Sequence, residues 1–192
     1  MRRSHLRSTL LILPACALFA ACGEPLRIQA TENVISTNFE LHAFSLAPPT
    51  YNSAILTPFA EPRPVTAAGS FDVALDLDAE GRILVMPVST VVTPLLGATR
   101  VGLRHAGGSY DAVLSAPTGE YVRDSVFAIV PGEVVVIEAD RSADLCAFAI
   151  SPFIYSKLSV LSVNEATGAI AVRFTVDPNC GFRSFEEGIP QN

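Results

Sequence analysis

The reading of the fold turns on residues 71–86, Phe71-Asp72-Val73-Ala74-Leu75-Asp76-Leu77-Asp78-Ala79-Glu80-Gly81-Arg82-Ile83-Leu84-Val85-Met86. Phe71, Val73, Leu75 and Leu77 alternate with Asp72, Asp76 and Asp78, the period-two pattern of a half-buried strand. A three-residue loop, Ala79-Glu80-Gly81, with Gly81 left-handed, sets Asp78 opposite Arg82, Leu77 opposite Ile83 and Leu75 opposite Val85. The inward-facing apolar residues of both strands then share one side. Register and chemistry agree on an antiparallel hairpin.

Working outward, residues 37–43 alternate Phe39, Leu41 and Ala43 with Asn38, Glu40 and His42, a second half-buried strand. Residues 47–70 hold prolines 48, 49, 58, 62 and 64, which exclude a central strand and predict a crossover or edge segment. Within it, Ala54-Ile55-Leu56 can pair briefly. Further strands are expected over 99–105, 110–115, 121–129, 133–139, 147–150, 156–163 and 169–177. Val130-Pro131-Gly132-Glu133 suits a type II turn, and Asn164-Glu165-Ala166-Thr167-Gly168 closes a last hairpin. Sustained helical periodicity is absent beyond residue 21. The expected fold is all-β, an antiparallel sandwich of the immunoglobulin-like kind with about eight to ten strands, its outer faces wet.

The first 21 residues read differently. Arg2, Arg3 and Arg7 precede an apolar run from Leu10 to Cys22, broken only by Pro14. Thirteen helical residues would span about 20 Å, too short for a ~30 Å hydrocarbon core. A basic start, a short apolar stretch and small residues before the cut form an export signal. Leu18-Phe19-Ala20-Ala21-Cys22 resembles the lipobox of bacterial lipoproteins, with Phe19 where that family usually has Leu. The resemblance covers residues 1–23 alone. It implies cleavage before Cys22, acylation of that cysteine, and anchoring without a membrane span, because two or more acyl chains hold stably. Gly23 lacks the inner-membrane retention signal of the family, which implies the outer membrane, with the domain in the periplasm or at the cell surface. The competing reading is ordinary secretion with Cys22 as a free or bridged thiol.

Loss of residues 1–21 would remove three of 13 basic residues and none of 19 acids, so 10 − 19 leaves a side-chain charge of −9. That balance argues against nucleic-acid binding. Cys16 leaves with the signal and Cys22 goes to lipid, so Cys146 and Cys180 remain to form a disulfide in an oxidising compartment. The expected organisation is a signal at 1–21, a tether at 22–32, the sandwich at 33–183 and a tail at 184–192.

Chemistry-bearing clusters are few. Arg104-His105-Ala106-Gly107-Gly108-Ser109-Tyr110-Asp111 contains the residue types of a nucleophilic triad. A Gly107-Gly108 turn would put His105 opposite Tyr110 and Arg104 opposite Asp111, so Ser109 and His105 point to opposite faces. His105 then caps an apolar face, and Asp111 pairs with Arg104. Asp76, Asp78 and Glu80 match the front of a calcium loop, but Pro87 stands where the bidentate acid belongs, so they form only a weak calcium candidate. Asp72, Asp76 and Asp78 share an outward strand face and are read as solvated. No catalytic residue, metal ligand set or cofactor motif emerges. The expected function is therefore a lipid-anchored envelope protein acting as a structural or binding module for an envelope protein or glycan. The alternative is a carboxylate-dependent hydrolase of envelope polymers; a further idea is an edge strand near residues 50–65 that accepts a partner strand.

Overall fold

A computed structural model describes residues 29–68, 70–92, 100–149 and 151–191. They form β1 (Ile35–His42), β2 (Asn52–Leu56), β3 (Glu61–Pro64), β4 (Val73–Leu77), β5 (Ile83–Pro87), β6 (Val101–Ala106), β7 (Val122–Arg123), β8 (Phe127–Ile129), β9 (Val134–Asp140), β10 (Phe153–Asn164) and β11 (Ala169–Asp177). One antiparallel sheet runs β1-β11-β10-β9-β6-β7 and the other β3-β2-β4-β5-β8. The sheets pack face to face, so the fold is an all-β sandwich.

The hairpin at 71–86 forms in the expected register, with Leu75 opposite Val85 and Leu77 opposite Ile83. Gly81 adopts φ +75° at the turn, and Asp78 exchanges a backbone bond and an ion pair with Arg82. Leu75, Ile83 and Val85 from this sheet meet Ile137, Leu158, Val172 and Phe174 from the other in one continuous interior. Each such buried side chain contributes roughly 1.5–3 kcal/mol. The proline-rich segment supplies β2, which lies inside its sheet, and β3, which forms the edge. Pro62 and Pro64 strip that edge of two N–H donors, which works against strand addition there.

Three expected strands differ. Residues 110–115 do not pair back on β6; Tyr110–Ala112 is a single 3-10 turn. The Gly107-Gly108 break sends the chain across the outer face of the larger sheet instead, because Tyr110 and Val113 find an apolar and cationic bed there. Asp111 consequently pairs with Arg173 at 2.7 Å, while Arg104 donates to the Thr118 and Glu120 carbonyls. Residues 121–129 split into β7 and β8 in different sheets, with Asp124 in a left-handed conformation (φ 54°) at the crossing. Residues 147–149 are turns, held by Cys146 N–H donating to the Arg141 carbonyl and by the Cys146–Cys180 disulfide, Cα–Cα 5.8 Å. Ile150 lies outside the described residues. On the chain-entropy model, closing this loop stabilises the fold by about 4 kcal/mol.

The larger sheet is covered on both faces along β9 and most of β10, while β1 stays largely open to solvent. Val134, Val136 and Tyr155 point away from the main interior and pack with Tyr110, Val113, Ala116, Tyr121 and Phe185 in a second core. Residues 184–188 close this layer: Phe185 N–H donates to the Leu114 carbonyl, Ser184 bridges Ser115, and Val34 N–H donates to the Gly188 carbonyl. The expectation of wet outer faces fails for this sheet. Gly102 lets the cover approach, since a Cβ there would lie 2.6 Å from the Tyr121 Cβ. Gly102→Ala is therefore expected to cost about 1–3 kcal/mol through forced repacking. A lower urea midpoint, with the far-ultraviolet dichroism of the native state unchanged, would register it; an unchanged midpoint would contradict the close packing.

Candidate functional site

The densest polar chemistry lies between the larger sheet and its cover. Lys157, the chain's single lysine, stands on the outward face of β10 and is almost wholly buried. Its Nζ donates to the carbonyls of Tyr110 and Val113, each at 2.8 Å, and sits 4.2 Å from the centre of the Tyr110 ring. Burial, then the nearby Arg173, lowers its pKa below the usual lysine range. Tyr110 donates to Thr175 Oγ1 at 2.7 Å, and the Arg173 guanidinium lies 4.4 Å from the centre of its ring. Desolvation pushes the Tyr110 hydroxyl up to about 12, against the lowering effect of Thr175 and Arg173.

A second cluster centres on Glu138 of β9. Its carboxylate accepts from Arg123 and from the Tyr155 hydroxyl, the latter at 2.9 Å. Arg183 donates to Tyr155 Oη at 3.0 Å and to the Ala116 and Pro117 carbonyls, and stacks 4.2 Å from the Tyr155 ring. Burial, reinforced by Glu138, raises the Tyr155 pKa. Both clusters pin the cover segments to the sheet, and their cations are consumed by backbone carbonyls and rings. They are fasteners in a closed layer.

A groove of about 370 Å³ opens at the margin of this layer, lined by Arg104, His105, Val113, Leu114, Ser115 and Pro117 among others. No carboxylate lines it. His105 stacks on Phe127 of the opposite sheet, centroids 4.8 Å apart, so it caps the rim of the apolar interior. Ser109, His105 and Asp111 do not converge.

The three aspartates take separate structural roles. Asp72 is fully buried, correcting the solvated reading: both its oxygens accept from Arg141 Nη2 at 2.6 Å, and Oδ2 also accepts from Thr57 N and Oγ1. Arg141 arrives from the β9–β10 connection, 69 residues away, and ties the two sheets together at one end of the sandwich. Asp76 Oδ1 accepts from the backbone and hydroxyl of Ser45 and from Leu77 N. Asp78 accepts from the backbones of Glu80 and Arg82 and from the Arg82 guanidinium, which together outweigh desolvation and hold its pKa below the usual range. Glu80 reaches Arg82 at 3.4 Å. Among the described residues, no group of three or more His, Cys, Asp or Glu side chains is placed to hold a metal ion. Burial raises the pKa of Asp177, although hydrogen bonds from Asn179 oppose the rise; Asp177 does not line the groove.

Sequence reasoning missed Lys157, Glu138, Tyr155 and Arg183 as a set. The signal was the run Val134-Val135-Val136-Ile137, apolar on both faces and hence the mark of a strand buried on two sides. Cys22 lies outside the described residues. Comparison with protein-family models, curated proteins and solved structures finds no match for this chain.

Two outcomes follow. A chelator is expected to leave the melting temperature unchanged, because Asp76, Asp78 and Glu80 are already engaged by protein donors; a clear drop would restore the calcium loop. The raised Tyr110 pKa contributes stability that is fully present below the unfolded value near 10 and lost as pH rises toward 12. Urea midpoints between pH 9 and 12 should therefore fall less steeply in Tyr110→Phe than in the parent; parallel slopes would contradict it.

Proposed function

We propose that this chain is a lipid-anchored cell-envelope protein working as a structural or binding module, acylated at Cys22 and held at the outer membrane by that cysteine. The observation that carries the non-catalytic part is the dispersal of its acids. Asp72, Asp76, Asp78 and Glu138 are each bound by donors within the fold, and the described groove contains no carboxylate. A glycan hydrolase needs two carboxyls about 5–10 Å apart across a cleft. Beside scattered charged residues, the surface exposes several large apolar and aromatic side chains. At the rim formed by the β1–β2 connection and the β10–β11 turn, Phe44, Leu46 and Tyr51 are exposed; Leu46 reaches the β10–β11 turn at Gly168, and Tyr51 meets the His42 ring edge-on. Such side chains suit capture of an envelope protein or glycan.

The anchoring part rests on the lipobox-like residues 18–22. No helix among the described residues is long and apolar enough to cross a membrane. Cys22→Ser is expected to move the protein from the membrane fraction to the soluble one. Retention of the variant with membranes until detergent is added would refute acyl anchoring.

A further inference from the structure

One end of the sandwich gathers the entry of the chain into the domain and the exposed side chains of Phe148, Phe59 and Leu145. Thr31 N and Glu32 N donate to Asn179 Oδ1 at 2.8 and 3.0 Å, which fixes where the chain enters the domain at residue 31. Asn179 precedes Cys180, whose disulfide reaches Cys146 with Cα atoms 5.8 Å apart, and Phe148 lies two residues beyond. No more than about 17 Å of backbone therefore separates Asn179 from Phe148. Phe148 is 104% exposed, the extreme among the described large apolar residues, and Leu145 in the same loop is 51% exposed. Phe59, also exposed, follows Thr57 in the turn that the Asp72–Arg141 pair ties to this loop.

The loop presents Phe148 rigidly. The disulfide, Ala147 N–H to the Asp144 carbonyl and Ala149 N–H to the Cys146 carbonyl fix its backbone. A phenylalanine displayed in full on a clamped loop keeps its hydration cost with no internal return. Asp144, its nearest acid in sequence, is paired with Arg141 at 3.2 Å, so it presents less charge to anionic headgroups.

We propose that this end docks on the lipid bilayer, with Phe148 and Leu145 seated in the interfacial region as a second, non-covalent contact beside the acylated Cys22. The inference rests on that acylation. Nine residue steps separate Cys22 from Thr31, at most about 32 Å when extended, so the anchor keeps the loop at high effective concentration near the headgroups. One side chain that would bind a membrane only transiently alone then holds the domain in a fixed pose. The opposite end, with Phe44, Leu46 and Tyr51, faces away from the bilayer toward its partner.

The chain has no tryptophan, so Phe148→Trp in the full-length protein creates a single reporter. The protein is reconstituted into phosphatidylethanolamine and phosphatidylglycerol vesicles carrying doxyl-labelled lipid, and Tyr51→Trp serves as the reporter at the far end. Expected are a blue shift and loss of most emission for the residue-148 reporter, with the residue-51 reporter unaffected. Equal quenching of both, or of neither, in protein whose intact mass shows an acylated Cys22 overturns the docking pose and leaves the anchor standing. An unacylated Cys22 overturns the anchor and the pose with it. A concentration-dependent blue shift at position 148 without vesicles assigns the surface to a second copy and overturns the proposal.

Discussion

Where a sheet is covered on both faces no side is left for water, so the charges it carries there need partners within the protein. That constraint governs β9, β10 and β11. Glu138, Tyr155, Lys157, Arg173 and Thr175 all project into the outer layer, and an unpaired charge there would cost several kcal/mol. The cover supplies what is missing: the Tyr110 and Val113 carbonyls for Lys157, Arg123 for Glu138, the Tyr110 hydroxyl for Thr175. The path of residues 107–121 is thus set as much by the demands of buried donors and acceptors as by the apolar contacts of Val113 and Ala116.

The same economy explains why polar side chains that look chemical in sequence are inert in position. Asp72 joins two sheets through Arg141, His105 stacks on Phe127, and Asp78 closes its own turn. Each interaction is local to one junction of the architecture. The acids that looked catalytic in sequence are spread among these junctions, and exposed aromatic and aliphatic groups stand at both ends of the sandwich.

The hairpin at 71–86 was readable because local pattern and turn chemistry specify the same register, and Leu77 meets Ile83 as the alternation requires. The disulfide was readable by arithmetic once Cys16 and Cys22 were assigned elsewhere. Residues 110–115 were misleading because Tyr110, Ala112 and Leu114 alternate as a strand would, while the partners of Tyr110, Lys157 and Thr175, are 47 and 65 residues away in the chain. Asp72 could not be separated from Asp76 and Asp78 for the same reason: its burial is decided by Arg141. Strand periodicity reports one buried face, and only the unbroken Val134–Ile137 run carried word of the second.

The topology also constrains the order of assembly. β1 has β11 as its only neighbour among the described strands, pairing Ile35 with Val176 and His42 with Ala169. A polypeptide delivered from its amino terminus must therefore hold β1 without this partner until β11 arrives. Closure across so long a separation is entropically slow and exposes an edge meanwhile. Any length delivered short of β11 therefore carries an open seam along β1.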